Sequence, residues 1–410
     1  MTRFELMRNM HKQLFKSPKT LLISPKALIH TYPRIYLAFV TIFALLGYAA
    51  VLLSPALLLT GLVSIFQAFT VNNAIDWINV LLWLLISVIS GLICYRSMQY
   101  KPVAPVGLTL IEDKAPDLFN LVEQVREHYK RPKIHRIIIT SDYQLDIVKT
   151  PHWALPVWSM NTLMIGLPAL QCLSAKHFEC LLARRFGQFS KRNNPLTNWL
   201  YQLRAIWPQY HKSYTKQKTP GIEPLRWFFA VYAPLYTYVS VHAARRDELN
   251  GDAYAMELYN DEVVREMITT DAVCRYYLQS RYWPAVNKIA TLETKSPPAP
   301  HKKMAAAVLA NLKEEKLQEV VNETFQAASD PADPVPALQD RIQNIGHDHP
   351  HMNDFRNPSA AVQYLGSALN IVTTIVDKLW LQTWLENRKK HSQQPREQVM
   401  ATQTTDPDVV

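Results

Sequence analysis

Between Ile35 and Ile75 the chain carries no charged side chain, and this run constrains it more than any other feature. An uncharged apolar segment of that length exceeds an ordinary core helix and is long enough to cross a bilayer. RIYLAFVTIFALLGYAAVLL, beginning at Arg34, supplies a first span of about twenty residues. Pro55 should kink or end that helix, with the apolar run continuing to Phe66. Beyond Asp76, WINVLLWLLISVISGLICY supplies a second span, with Trp77 and Tyr95 at its ends, where amphipathic rings prefer the interface.

The flanking charges orient this hairpin. Residues 1–34 hold Arg3, Arg8, Lys12, Lys16, Lys19, Lys26 and Arg34 against the single acid Glu5, and the loop between the spans holds no Lys or Arg. Positive-inside reasoning places the N-terminus in the cytosol, and two crossings return the chain there. The basic lead and the apolar run are both too long for a cleaved signal peptide. Phe4, Met7, Met10 and Leu14 recur at helical spacing, which suits either an interfacial helix on anionic lipid or a plain basic arm.

The net charge of +10 is compatible with nucleic acid or with a lipid surface. The basic loop HKSYTKQKTP, with Arg226, lies beside an apolar run and offers no broad patch with stacking residues, so lipid headgroups are the simpler partner and nucleic acid is not expected. Cys94, Cys172, Cys180 and Cys274 form no C-x-x-C pair and no disulfide framework. A third apolar run, Trp227 to Ala244, is interrupted by Pro234.

Downstream, DKAPDLFNLVEQVREHYKRP reads as an amphipathic helix with Leu118, Leu121, Val122, Val125 and Tyr129 on one face. Ile134 to Thr140 reads as a strand and Thr162 to Leu170 as a second. Ser174 is placed to cap a helix from Ala175 to Lys191. Arg245 to Tyr259 is helical by composition, Lys295 to Lys303 is a Pro-rich linker, and IVDKLWLQTWLENRKKH is a last amphipathic helix. The polar residues at the end of the chain show no apolar periodicity and suggest disorder.

This order, ending in LSAKHFECLLARRFGQ and followed by DELNGDAYA, PPAP and PVPALQDRI, resembles the membrane zinc metallopeptidases of the HtpX and CAAX-prenyl-protease type. The resemblance covers roughly Arg34 to Ile342 in order and spacing. It implies an α+β, mostly helical protein: a transmembrane hairpin, then a zincin-like domain with a small sheet. The implied division is a basic cytosolic segment over 1–34, the hairpin over 35–96, a peptidase-like domain over 97–293, a helical extension over 294–390 and a disordered tail over 391–410. It also implies a bacterial inner membrane location, with the main domain in the cytosol.

The chemical positions depart from the family pattern. The first histidine ligand falls on Arg184, the catalytic glutamate on Arg185, the second histidine on Gln188, the glutamate ligand on Asn250 and a later histidine on Val335, while Asp252 keeps the family's aspartate. Arginine offers no lone pair to a cation and cannot act as a general base, and neutral amides are poor zinc ligands. No zinc is therefore expected there. Arg184 or Arg185 either pairs with Asp252, tying two helices together, or both face solvent. Because residues 184–188 and 248–252 must pack together in this architecture, Trp227 to Ala244 should graze the membrane instead of crossing it.

The expected work is binding. In the family, substrate lies along a sheet edge, and Ser159 to Gly166, with Thr162, Leu163, Met164 and Ile165 at its centre, is the corresponding strand for a peptide or membrane-protein partner. The competing reading is an active metal-dependent endopeptidase with relocated ligands. His347, His349 and His351 alternate in GHDHPH, and His177 with Cys180 sits upstream of Arg184, although both groups also suit ordinary polar surface or core. The sequence sets no oligomeric state.

Overall fold

The computed structural model describes residues 33–70, 76–99, 105–130, 133–151, 159–190, 194–216, 220–292, 298–312, 314–328, 333–352 and 358–403. The basic lead with Phe4, Met7, Met10 and Leu14 and the last seven residues lie outside them.

Helix α1 (Pro33–Thr70) and helix α2 (Trp77–Met98) form the hairpin, and each is long and apolar enough to cross a membrane. Pro55 sits inside α1 without ending it. Asp76 caps α2 by accepting from the Ile78 and Asn79 amides at 3.1 and 3.3 Å. The seam is built of small and polar residues, Ser54 and Gly61 on α1 and Ser87, Ser90 and Ser97 on α2. A Cβ at Gly61 would sit 2.2 Å from Ser87 Oγ. Leu59, Phe66, Ile78, Leu81 and Val88 point outward instead. Small residues inside and large aliphatics outside invert the pattern of a soluble core and match helix packing in lipid.

The next elements are β1 (Leu108–Thr109), α3 (Pro116–His128), β2 (Arg136–Thr140), β3 (Leu145–Pro151) and β4 (Ser159–Gly166). The sheet order is β1-β2-β4-β3; β2 and β4 are parallel, while β1 and β3 each pair antiparallel. The expected second strand is thus shifted: the chain enters α4 (Leu167–Cys172) at Pro168, which suits the first turn of a helix. Strand β4 is also not an edge. Thr162, Leu163, Met164 and Ile165 are paired on one side with β2 and on the other with β3, so their backbone groups are already used. The long edge strand is β3, whose sequence LDIVKTP shows no clean strand pattern because it mixes charge with β-branched residues.

Ser174 caps α5 (Ala175–Gln188) by accepting from the His177 amide at 3.2 Å. Helices α6 (Pro195–Lys216), α7 (Glu223–Val239) and α8 (Val241–Ala255) follow. Then come α9 (Asp261–Tyr277), a π-turn over Leu278–Tyr282, α10 (Trp283–Leu292), α11 (Pro300–Asn311) and α12 (Glu314–Gln326). The chain ends in α13 (Leu338–Asn344), α14 (Ala360–Leu365) and α15 (Leu369–Gln403).

One core joins the sheet to α3, α5 and α9, and it includes Leu338, Ala360, Ala361, Val372 and Val376. The Ala360 amide donates to the Leu173 carbonyl at 2.8 Å. The segment expected to form a separate extension over 294–390 therefore completes the main core, because α3, α5 and the sheet expose apolar faces that only later helices cover. Helix α15 runs on to Gln403, so the boundary expected at 391 falls inside a helix. A second core is aromatic: Trp207, Tyr210, Tyr214, Phe229, Tyr232 and Tyr236 from α6 and α7 enclose Tyr36, Val40, Ala44 and Val51 of α1. Helix α7 has 17 residues, about 25 Å of rise, which falls short of a bilayer core. Its outer stripe of Trp227, Val231 and Leu235 is exposed.

Candidate functional site: a buried ion-pair network

The site forms where α5 crosses α8. Two glycines permit the approach: a Cβ at Gly251 would meet Gln188 Cγ at 2.6 Å, and one at Gly187 would meet Tyr254 Cβ at 2.4 Å. Arg184, Arg185 and Gln188 share one face of α5, and Glu248 and Asp252, four residues apart, share one face of α8. All five are buried, Arg184 being 2% and Arg185 6% exposed. Burial rules out the alternative in which both arginines face solvent.

Arg184 Nε donates to Asp252 Oδ1 at 2.5 Å, and its Nη2 donates to Glu248 Oε2 at 2.6 Å and to the Glu248 carbonyl at 3.1 Å. Arg185 Nη1 donates to Glu248 Oε1 at 3.0 Å, Gln188 Oε1 at 2.7 Å and Tyr201 Oη at 3.2 Å. The Tyr201 hydroxyl in turn donates to Glu248 Oε1 at 2.6 Å. Arg185 Nη2 lies 3.4 Å from Asp146 Oδ1 on β3, linking the helix to the edge strand.

A second layer comes from the later helices. Arg341 on α13 forks onto Asp252, with Nε to Oδ2 at 2.9 Å and Nη2 to Oδ1 at 2.8 Å, and its Nη1 reaches Asp271 Oδ2 at 3.3 Å. Tyr143 donates to Asp271 Oδ1 at 3.0 Å, and Arg275 lies 3.5 Å from that oxygen. In this inner network the guanidiniums of Arg184, Arg185 and Arg341 balance the carboxylates of Glu248, Asp252 and Asp271, as burial of charge requires.

Protonation follows from that balance. Burial pushes Glu248 toward the neutral acid, but Arg185 and Arg184 outweigh it and hold the carboxyl well below the usual range. Asp271 is lowered in the same way, burial being opposed by Arg275 and Arg341. Burial also disfavours the Arg341 cation, and Asp252 more than compensates, raising its pKa above the ordinary arginine value.

The zinc that the resemblance implies does not fit these residues. Guanidinium groups contact both Glu248 oxygens and both Asp252 oxygens, which are the groups a cation would need. Arg184 and Arg185 add permanent positive charge beside these carboxylates and offer no lone pair to a metal. Glu248, held ionised between two cations, is a weak base.

The residues expected from sequence separate into two groups. Arg184, Arg185, Gln188 and Asp252 converge. Asn250 does not: it lies on the other side of α8, and Glu248 occupies the facing position. The spacing already held that signal, since residues two apart on a helix diverge while Glu248 and Asp252 align. Val335 takes no part; its amide caps onto Asp333 Oδ1 at 2.9 Å. Arg341 lies in PVPALQDRI, a segment that carries the resemblance but says nothing of the carboxylates Arg341 meets. Asp271, Tyr143 and Tyr201 carried no sequence signal at all.

The histidines do not form the alternating trio. His347 meets Asp261 Oδ2 at 2.5 Å and Arg265 Nη1 at 3.3 Å, and His349 is exposed. His351 turns instead toward Glu266, at 3.5 Å. Cys180 is fully buried, burial pushes its thiol pKa up, and His177 meets Glu266 at 3.3 Å. No family model, curated protein or solved structure matches this chain.

Proposed function

We propose that this chain is a membrane-anchored pseudo-metallopeptidase of the HtpX and CAAX-prenyl-protease type, which holds an extended peptide or a membrane-protein segment and does not cut it. The observation that carries this reading is the pairing of Arg184 and Arg185 with Glu248 and Asp252 where two helices would otherwise share a metal. The network keeps the helix crossing rigid while removing the nucleophile's activator. The occupant would lie on the outer edge of β3, which no strand takes among the described residues and which Asp146 ties to Arg185.

The hairpin is the anchor. Helix α2 has 22 residues, about 33 Å, which matches a hydrocarbon core of about 30 Å. The first turns of α1 dock on α6 and α7 through Tyr36, whose hydroxyl donates to the Val239 carbonyl at 2.7 Å. The distal half of α1, with α2, is left to cross the plasma membrane, with the folded domain on the cytosolic side and the Trp227, Val231 and Leu235 stripe against the headgroups.

Two experiments test the two halves of this proposal. The variant carrying Arg184→His, Arg185→Glu and Gln188→His, in a His351→Ala background, should gain about one equivalent of zinc, because Glu248 and Asp252 already stand in place. A folded variant that takes up none removes the peptidase ancestry. A photo-crosslinking side chain in place of Lys149 should yield a discrete adduct in native membranes, and the absence of any adduct removes the binding role. Chelator-sensitive proteolysis by the unmodified protein would favour the endopeptidase reading.

A further inference from the structure

A second group of ligand-type side chains lies near the start of α9, away from the ion-pair network. Glu262 and Glu266 are four residues apart on one face of that helix, and the loop after α13 brings His351 over them. One donor atom from each of the three lies within 4.8 Å of the other two. His351 Nε2 is 3.5 Å from Glu266 Oε1. Two ligands on one tetrahedral cation with bonds of about 2.1 Å stand about 3.4 Å apart, so this pair is already at ligand spacing.

The surroundings support such a site. The other oxygen of Glu266 is held by His177 Nε2 at 3.3 Å, from α5, the placement by which an outer partner orients a carboxylate ligand. The His351 amide donates to Thr269 Oγ1 at 3.3 Å, which fixes the loop on α9. Glu266 and His177 are mostly enclosed, whereas Glu262 is exposed, so the site has one rigid wall and one open side. Two carboxylates and one imidazole with an open side suit a divalent first-row cation better than calcium, which takes six or more oxygens.

We infer that Glu262, Glu266 and His351 bind a divalent transition-metal ion, with His177 as the positioning residue for Glu266. The ion would clamp the loop after α13 to α9 and, through His177, to α5. This is independent of the pseudo-peptidase reading, since no residue of the ion-pair network takes part.

The test is titration of the detergent-purified full chain with ZnCl2 and, separately, with CoCl2, read by calorimetry and by the visible absorption of bound cobalt. About one equivalent should bind. Glu262→Gln and His351→Ala should each weaken binding by about 100-fold or more, and His177→Gln by about 10-fold. His349→Ala, on an exposed neighbour outside the triad, should leave it unchanged. Because Glu262 is exposed, its variant should keep the parent's circular dichroism and melting temperature without metal. Absence of saturable binding to the parent, or equal binding by the Glu262→Gln and His351→Ala variants, overturns the assignment.

Discussion

At the scale of single residues, Asp252 bears the greatest demand, because it accepts from both Arg184 and Arg341 while fully buried. Asp252→Asn leaves two guanidiniums short of one charge, and breaking a buried pair in this way costs about 3–5 kcal/mol. Denaturant unfolding in detergent should show that loss, whereas Asn250→Ala should stay within about 0.5 kcal/mol of the parent. Acid should act on the same groups. Glu248 and Asp271 have folded-state pKa values below their unfolded ones, so their contribution is complete above the unfolded carboxylate range of about 4 and is lost as pH falls toward the folded values. The melting temperature should be flat near neutrality and drop below about pH 4, and Glu248→Gln should shallow that drop.

At the scale of elements, the crossing of α5 and α8 depends on missing side chains as much as on charged ones. Gly251→Ala would press a Cβ to 2.6 Å from Gln188 Cγ, an overpacking that costs about 1–3 kcal/mol. Thermal unfolding should register it, and further truncation of Gln188 to Ala should relieve part of the loss. The helices themselves were readable: Ser174 as a cap and the apolar face of α3 both act through local chemistry. Strand β3 was not, because its residues lack alternation and its place is fixed by pairing with β4, a contact outside its own sequence.

At the scale of the molecule, the chain closes on itself. Helices α14 and α15 cover the face of α3 and the sheet, so truncation after Met352 removes Ala360, Val372 and Val376 from the main core. That truncated chain should be aggregated or protease-sensitive on extraction, whereas truncation after Arg388 should leave a monodisperse, trypsin-resistant domain. Limited proteolysis with size-exclusion chromatography distinguishes the two.

The sequence by itself determined the apolar hairpin, the capped helix α5 and the adjacent arginines in its last turn, because periodicity, capping and side-chain chemistry are properties of neighbouring residues. Only the tertiary structure decided that Glu248, not Asn250, faces those arginines, that Arg341 and Asp271 complete the charge balance, and that β4 is interior. The charge pairings depend on which faces meet across 60 to 90 residues of intervening chain, the place of β4 depends on its pairing with β2 and β3, and a buried charge reveals its partner only when the packing that excludes water is in place.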